Sequence, residues 1–179
     1  MFRKEDDNAL NGDITVLVAE DDRMMADALV RGLNARGYNV KRTERVMDGL
    51  DLIEEADVLI LDIRLLNGDG RSLLYRWVRD RHLPVLVISG VLGPDDEEEL
   101  LTAGAWNVLP KPFRMDTFFF LTERYSCMIK DLRRSARVGK LEKQVRVLLY
   151  AVVLLGGTEI LPRVVSWLGI DVPSLLSLL

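Results

Sequence analysis

The sequence predicts a doubly wound α/β domain with a five-stranded parallel sheet, followed by a C-terminal helical extension. Two observations give the fold. Short runs rich in Val, Leu and Ile recur without polar alternation, the pattern of strands buried on both faces. Segments of helical length and periodicity separate them, as βα units require. A third observation concerns the ends of the runs. Glu20 and Asp21 follow Ile14–Ala19, Asp62 follows Val58–Leu61, Ser89 follows Val85–Ile88, and Lys111 follows Val108–Pro110. In such a sheet, ligands bind in the crevice at the carboxyl ends of the strands. A carboxylate cluster, a hydroxyl and a lysine would therefore meet at one edge, a set suited to Mg²⁺ and a phosphoryl group on Asp62.

The elements follow in order. Residues 1–13 are polar at the start (Arg3, Lys4, Glu5, Asp6, Asp7, Asn8) and read as a flexible tail. Ile14–Ala19 is the first strand. A helix from Arg23 to Arg36 has Met24, Ala28, Leu29, Leu33 and Ala35 near one face, and Gly37 suits its end. Asn39–Thr43 is a short second strand. Val46–Glu55 carries Val46, Leu50 and Ile53 at helical spacing. Asp57–Leu61 is the third strand, and Asn67–Gly70 reads as a loop. Gly70–His82 is a helix with Leu73, Leu74 and Trp77 inward. Pro84 ends it and opens the fourth strand. Pro94–Ala103 is an acidic-surfaced helix, with Pro94 in its first turn. Trp106–Leu109 is the fifth strand, and Arg114 to about Arg134 is the fifth helix. The expected strand order is flavodoxin-like, 2-1-3-4-5, with strands 1 and 3 flanking the switch point.

At 179 residues the chain holds one domain plus an appendage. It is 49% hydrophobic and 29% charged, enough to bury a core and stay soluble, and its net charge of −4 gives no prior for nucleic-acid binding. The single cysteine, Cys127, excludes an internal disulfide framework and reads as a partly buried helix residue in a reducing, cytoplasmic setting. No apolar signal-peptide core opens the chain. The single histidine, His82, falls at a polar helix end and leaves no spacing for a histidine metal site.

Four motifs in order carry a family resemblance: Val16–Asp22 with its acidic pair, Leu59–Leu65 with Asp69-Gly70, Val87–Gly90, and Gly104-Ala105 leading to Lys111-Pro112-Phe113. Over residues 14–132 the chain resembles the receiver domain of two-component response regulators, the CheY-like fold. The resemblance implies that Glu20 and Asp21 are the acidic pair for Mg²⁺, with Asp22 a neighbouring acid. It implies that Asp62 is the phosphoacceptor, Ser89 the switch hydroxyl and Lys111 the phosphate-binding lysine. The backbone carbonyl of Arg64 would be a further metal ligand, and the Lys111–Pro112 bond would be cis. The donor would be a cognate sensor histidine kinase or a phosphotransfer protein.

Three positions depart from the family pattern. Leu66 stands where proline is usual, which would leave that loop more mobile. Val108 stands where an aromatic is frequent. Trp106, two positions earlier, should face the same side by strand alternation, either over the groove or as core at the start of the strand. Arg64 is a long cation near the phosphate site, directed either to the phosphoryl group or to solvent. An aspartyl-phosphate hydrolase would need a second acid two residues after Asp62, where Arg64 stands.

Residues 133–179 are read as a helical extension for output or dimerisation. The basic stretch Arg124–Arg146 carries Leu121, Tyr125, Met128 and Leu132 on a stripe leading into it. The pattern breaks near Ser135 and Gly139 and resumes with Leu141, Val145, Leu148, Val152 and Leu155 as a second helix. Thr158–Leu168 reads as a third helix, and Val172–Leu179 as a last apolar piece. No helix-turn-helix or zinc-finger pattern appears. The apolar run Val147–Thr158 is shorter than the roughly 20 residues needed to span a bilayer. Three arrangements would bury it: pairing with a second copy, folding back on the receiver, or lying on a membrane surface. The function expected is a phosphorylation-driven response regulator rather than an enzyme. The competing reading is a pseudo-receiver scaffold whose helices do the work.

Overall fold

The computed structural model describes residues 11–66, 68–90, 93 and 95–154. The chain divides into two compact units, Met1–Lys130 and Asp131–Leu179. In the first unit, β1 (Thr15–Ala19), β2 (Asn39–Thr43), β3 (Val58–Asp62), β4 (Val85–Ser89) and β5 (Asn107–Pro110) form one parallel sheet in the order β2-β1-β3-β4-β5. This is the predicted 2-1-3-4-5 order. The helices are α1 (Arg23–Asn34), α2 (Val46–Leu52, continued by a 3₁₀ turn Ile53–Glu55), α3 (Arg71–Arg81), α4 (Asp96–Thr102) and α5 (Met115–Leu154).

Strand alternation splits the core into two layers. Leu17, Ala19, Leu59, Leu61, Val85 and Val87 face α2, α3 and α4, against Leu73, Leu74, Trp77 and Leu100. Val16, Val18, Val58, Ile60, Leu86 and Ile88 face α1 and α5, against Leu29, Leu33, Phe118, Tyr125 and Ile129. Each fully buried Leu, Ile or Val contributes about 1.5–3 kcal/mol. Trp77 satisfies its indole N–H on the Leu83 carbonyl at 2.8 Å, so its burial carries no polar cost.

Several expectations are corrected. Met24 is 85% exposed, and Met25 packs inward instead. Residues 25, 29 and 33 form a cleaner i, i+4 stripe than one starting at 24. On α5 the inward face is Phe118, Thr122, Tyr125, Ser126 and Ile129, whereas Met128 and Leu132 are exposed. The hydroxyls of Thr122 and Ser126 bond to the Phe118 and Thr122 carbonyls, both at 2.9 Å, which lets small polar residues take core positions. Helix α5 also runs through Ser135 and Gly139 without a break. One glycine among strong helix formers costs only about 1 kcal/mol, too little to end a helix. Cys127 is exposed rather than partly buried. Asn11, placed in the expected tail, is buried, donates to the Arg36 carbonyl and accepts from Lys130. Helix α4 begins at Asp96, after Pro94, which lies outside the described residues. Outside them too lie the expected third helix, the last apolar piece and the side chains of Leu141, Val145, Leu148, Val152 and Leu155.

Backbone pairing holds the loop after Asp62 on both sides of residue 67. Arg64–Leu65 pairs antiparallel with Gly68–Asp69. Leu66, where mobility was expected, donates its N–H to the Glu44 carbonyl at 3.1 Å and bridges Arg45. Gly70 closes the loop. Its N–H reaches the Ile63 carbonyl at 2.8 Å. A Cβ there would lie 2.5 Å from the Asp62 carbonyl oxygen.

Two substitutions separate these points. Gly70→Ala should destabilise the protein by about 1–3 kcal/mol, because backbone has to move. Gly139→Ala should increase stability or helicity by about 0.5–1 kcal/mol, because no described atom outside the helix lies within 4 Å of its Cβ. Urea unfolding and far-ultraviolet circular dichroism measure both. A loss of helicity in Gly139→Ala would argue against the unbroken α5.

Candidate functional site

Sheet register brings the expected residues to one edge. Ala19 pairs with Leu61, and Asp62 pairs with Ile88, one residue before Ser89. Ser89 pairs with Pro110, one residue before Lys111. Glu20 and Lys111 each sit one residue past their strands, while Asp62 and Ser89 are the last residues of theirs. The Glu20 N–H bonds to the Thr43 carbonyl at 3.1 Å, and the Lys111 N–H to the Ser89 carbonyl at 2.7 Å, which fixes where both side chains leave the backbone. The Lys111–Pro112 bond is cis, as the resemblance implied.

Lys111 is the centre of the cluster. Its Nζ donates to Glu20 Oε2 and to Asp62 Oδ2, both at 2.6 Å. The other carboxylate oxygens are also engaged: Glu20 Oε1 accepts from the Asp22 amide at 3.2 Å, and Asp62 Oδ1 from the Arg64 amide at 2.8 Å. Glu20 has no exposed surface and Asp62 only 6%. Asp21 is half-buried and joins them, with one oxygen of each acid within 4.8 Å of the others. Asp22 caps α1 by accepting from the Met25 amide at 3.0 Å, the role of a neighbouring acid.

The electrostatics follow from burial. Desolvation lifts the Glu20 carboxyl above its ordinary 4.5, and the Lys111 ammonium only partly offsets it. Burial works against the charge on Lys111 as well, but its hydrogen bonds to Asp62 and Glu20 outweigh that and hold its pKa above 10.5.

Ser89 is buried and belongs to the floor of a neighbouring cleft of about 430 Å³, lined also by Ile63, Arg64, Asp69, Arg71 and Asp96. The Arg64 side chain is exposed. Trp106 departs from expectation. It meets Tyr125 edge-on at 5.6 Å, against the α5 layer, while Val108 packs on the opposite layer. It precedes β5, at the end of the strand away from Lys111, so it covers no part of this site. Arg71 went unread in the sequence. The available signal was a lone cation opening a helix, where the dipole disfavours it.

The match of a family model decides the family: the response regulator receiver domain model fits residues 16–121. The chain belongs to the response regulator receiver domain family. Among curated relatives, this receiver is 34% identical over 99 residues to the transcriptional regulatory protein VxrB of Vibrio cholerae, covering 55% of this chain and 40% of that protein. It is 36% identical over 104 residues to the virulence transcriptional regulatory protein PhoP of Salmonella choleraesuis, covering 56% and 46%. The chain thus spans less than half the length of these relatives. Among solved structures, the receiver domain of the Francisella response regulator 1452 matches with a TM-score of 0.59 at 26% identity, over 65% of this chain and 99% of that one. The non-phosphorylated HemR receiver domain of Leptospira biflexa matches with a TM-score of 0.59 at 27% identity, over 63% and 94%.

Removing the central cation tests the cluster. Lys111→Met should cost about 2–4 kcal/mol near neutral pH, because two carboxylates lose the cation they share. The sign with pH follows from Glu20. A carboxyl with a raised pKa favours its neutral form when folded, so the penalty should shrink as pH falls through that pKa. Urea unfolding of both proteins near neutral pH and in acid reads this out, and a penalty independent of pH would contradict the pairing.

Proposed function

We propose that the chain is a phosphorylation-driven switch in which Asp62 takes a phosphoryl group from a sensor histidine kinase or phosphotransfer protein. The observation that carries this reading is the Lys111 ammonium, 2.6 Å from both the Glu20 and Asp62 carboxylates. In-line attack by Asp62 builds negative charge on the transferred group. A fixed cation already touching the attacking carboxylate lies where that charge develops. The buried Ser89 hydroxyl, at the end of the adjacent strand, is the group proposed to sense the phosphoryl oxygens.

The donor set fits Mg²⁺. Glu20, Asp21 and Asp62 offer oxygen ligands only, and with Lys111 they leave two uncompensated negative charges, matching a divalent ion. The carbonyl of Arg64 is proposed to complete the protein ligands. When bound, the ion would supply positive charge against the phosphoryl oxygens. The fully filled set of acids, hydroxyl and lysine disfavours the pseudo-receiver scaffold. The relatives named as transcriptional regulators extend beyond the matched region.

Output is proposed to run through α5, which continues to Leu154, past the receiver unit. Leu132 and Val138 are 59% and 55% exposed on it, and pairing with a second copy would cover such residues. Among the described residues, no helix is long and apolar enough to cross a membrane. A cytoplasmic setting is part of the proposal.

Mg²⁺ with a small-molecule phosphodonor should add one phosphoryl group to the wild type and none to Asp62→Asn, as read by mass spectrometry. Equal labelling of the variant would move the site elsewhere. Arg64→Ala should shorten the phosphoryl lifetime if the guanidinium shields the acyl phosphate; an unchanged lifetime would leave the side chain with solvent. Mg²⁺ affinity should weaken as pH falls through the raised Glu20 pKa, because the ion requires the ionised acid. Light scattering should find full-length protein dimeric and a chain ending near Arg134 monomeric, and a full-length monomer at high micromolar concentration would end the dimer reading.

A further inference from the structure

The cleft beside Ser89 is bounded by the loop after Asp62 on one side and by α4 on the other, and one residue ties its walls together. Arg71 is the first residue of α3, where the positive end of the helix dipole disfavours a cation. Three carboxylates hold it there. On the loop side the bonds are good: Asp69 Oδ1 accepts from the Arg71 backbone N–H at 2.9 Å, and Asp69 Oδ2 from Nη1 at 3.2 Å. On the α4 side they are longer, with Nη2 at 3.4 Å from Asp96 Oδ1 and Nε at 3.6 Å from Glu99 Oε1. The Nε atom is buried and makes no hydrogen bond. The second oxygen of Asp96 accepts from the Gly93 amide at 2.6 Å, in the segment that joins Ser89 to α4. The guanidinium is anchored to the loop that follows Asp62 and holds α4 loosely.

Helix α4 is suited to such control. It has seven residues, below the length at which a helix is stable alone, and only Leu100 is buried. Asp96, Glu97, Glu98 and Glu99 crowd its first turn. Without a cation, the acids facing Asp69 would repel it.

We propose that Arg71 is a positioning residue for the switch: a cation clamp that holds α4 against the loop after Asp62 while the protein is unphosphorylated. Phosphorylation of Asp62 releases Asp96 and Glu99 from it. The inference rests on the reading of Asp62 as phosphoacceptor. A contact made in one state alone shifts the equilibrium by its own worth. A partly exposed ion pair is weak, so the clamp biases the switch by a small factor rather than locking it.

The test uses full-length protein and the variants Arg71→Ala, Arg71→Lys, Glu99→Gln and the double variant Arg71→Ala/Glu99→Gln. Amide hydrogen exchange of residues 96–102 is measured without any phosphoryl mimic, and beryllofluoride affinity is measured in Mg²⁺. Arg71→Ala should speed α4 exchange and tighten beryllofluoride binding, each by about two- to fivefold. Arg71→Lys should restore part of both effects, since it returns the charge. Glu99→Gln should act in the same direction, and the double variant should fall short of the product of the singles. Unchanged α4 exchange overturns the clamp, and so does weaker beryllofluoride binding, which would place the contact in the activated state. Faster exchange spread equally over β1 and β3, with no gain in affinity, overturns it as general destabilisation. If the wild type binds no beryllofluoride, the phosphoacceptor reading fails, and the exchange of α4 still decides whether the clamp exists.

Discussion

A single ammonium makes the site possible. Glu20 is wholly buried and Asp62 nearly so, and two carboxylates at that depth cannot both stay ionised without a cation between them. Lys111 is that cation, and it reaches from the end of β5 across β4 to Asp62 and across β4 and β3 to Glu20. Order among the acids therefore depends on where β5 ends. The Lys111 amide is fixed by the Ser89 carbonyl, so the residue proposed to sense phosphorylation also sets the position of the lysine.

The sheet supplies the precision. Parallel pairing from β1 through β3 and β4 to β5 is continuous in register, and it brings Glu20, Asp62, Ser89 and Lys111 to the carboxyl ends of their strands. Apolar layers on both faces leave those strands little freedom to slide, because a slip of one residue would turn the layers inside out. Loops meet at that edge, and the closeness of Gly70 to the Asp62 carbonyl shows how tightly one of them is drawn in.

Much of this was legible in the sequence. Uninterrupted Val, Leu and Ile runs named the strands, because a strand buried on both faces needs no alternation. The polar residues that end those runs named Glu20, Asp21, Asp62, Ser89 and Lys111, which the fold gathers at one edge. What escaped depends on pairings distant in sequence or on cancelling effects. Thr122 and Ser126 look like surface residues until their hydroxyls are seen bonded to their own helix. Gly139 looks like a break, although its cost is small beside the helix around it. Trp106 looked like core or groove, but it lies just ahead of its strand and turns to Tyr125. Arg71 went unread because its partners Asp96 and Glu99 come from another βα unit.

The Leu66 amide has a consequence for how this receiver responds to heat. Proline at that position would restrict the chain through its ring, a constraint of covalent geometry that persists at any temperature. Leucine leaves φ free but supplies an N–H, and the bond to the Glu44 carbonyl takes over the restraint. A hydrogen bond at a surface loop opens and closes, and warming shifts it toward open. The restraint on Leu66 is thus a breakable bond to Glu44, between β2 and α2, rather than a covalent ring.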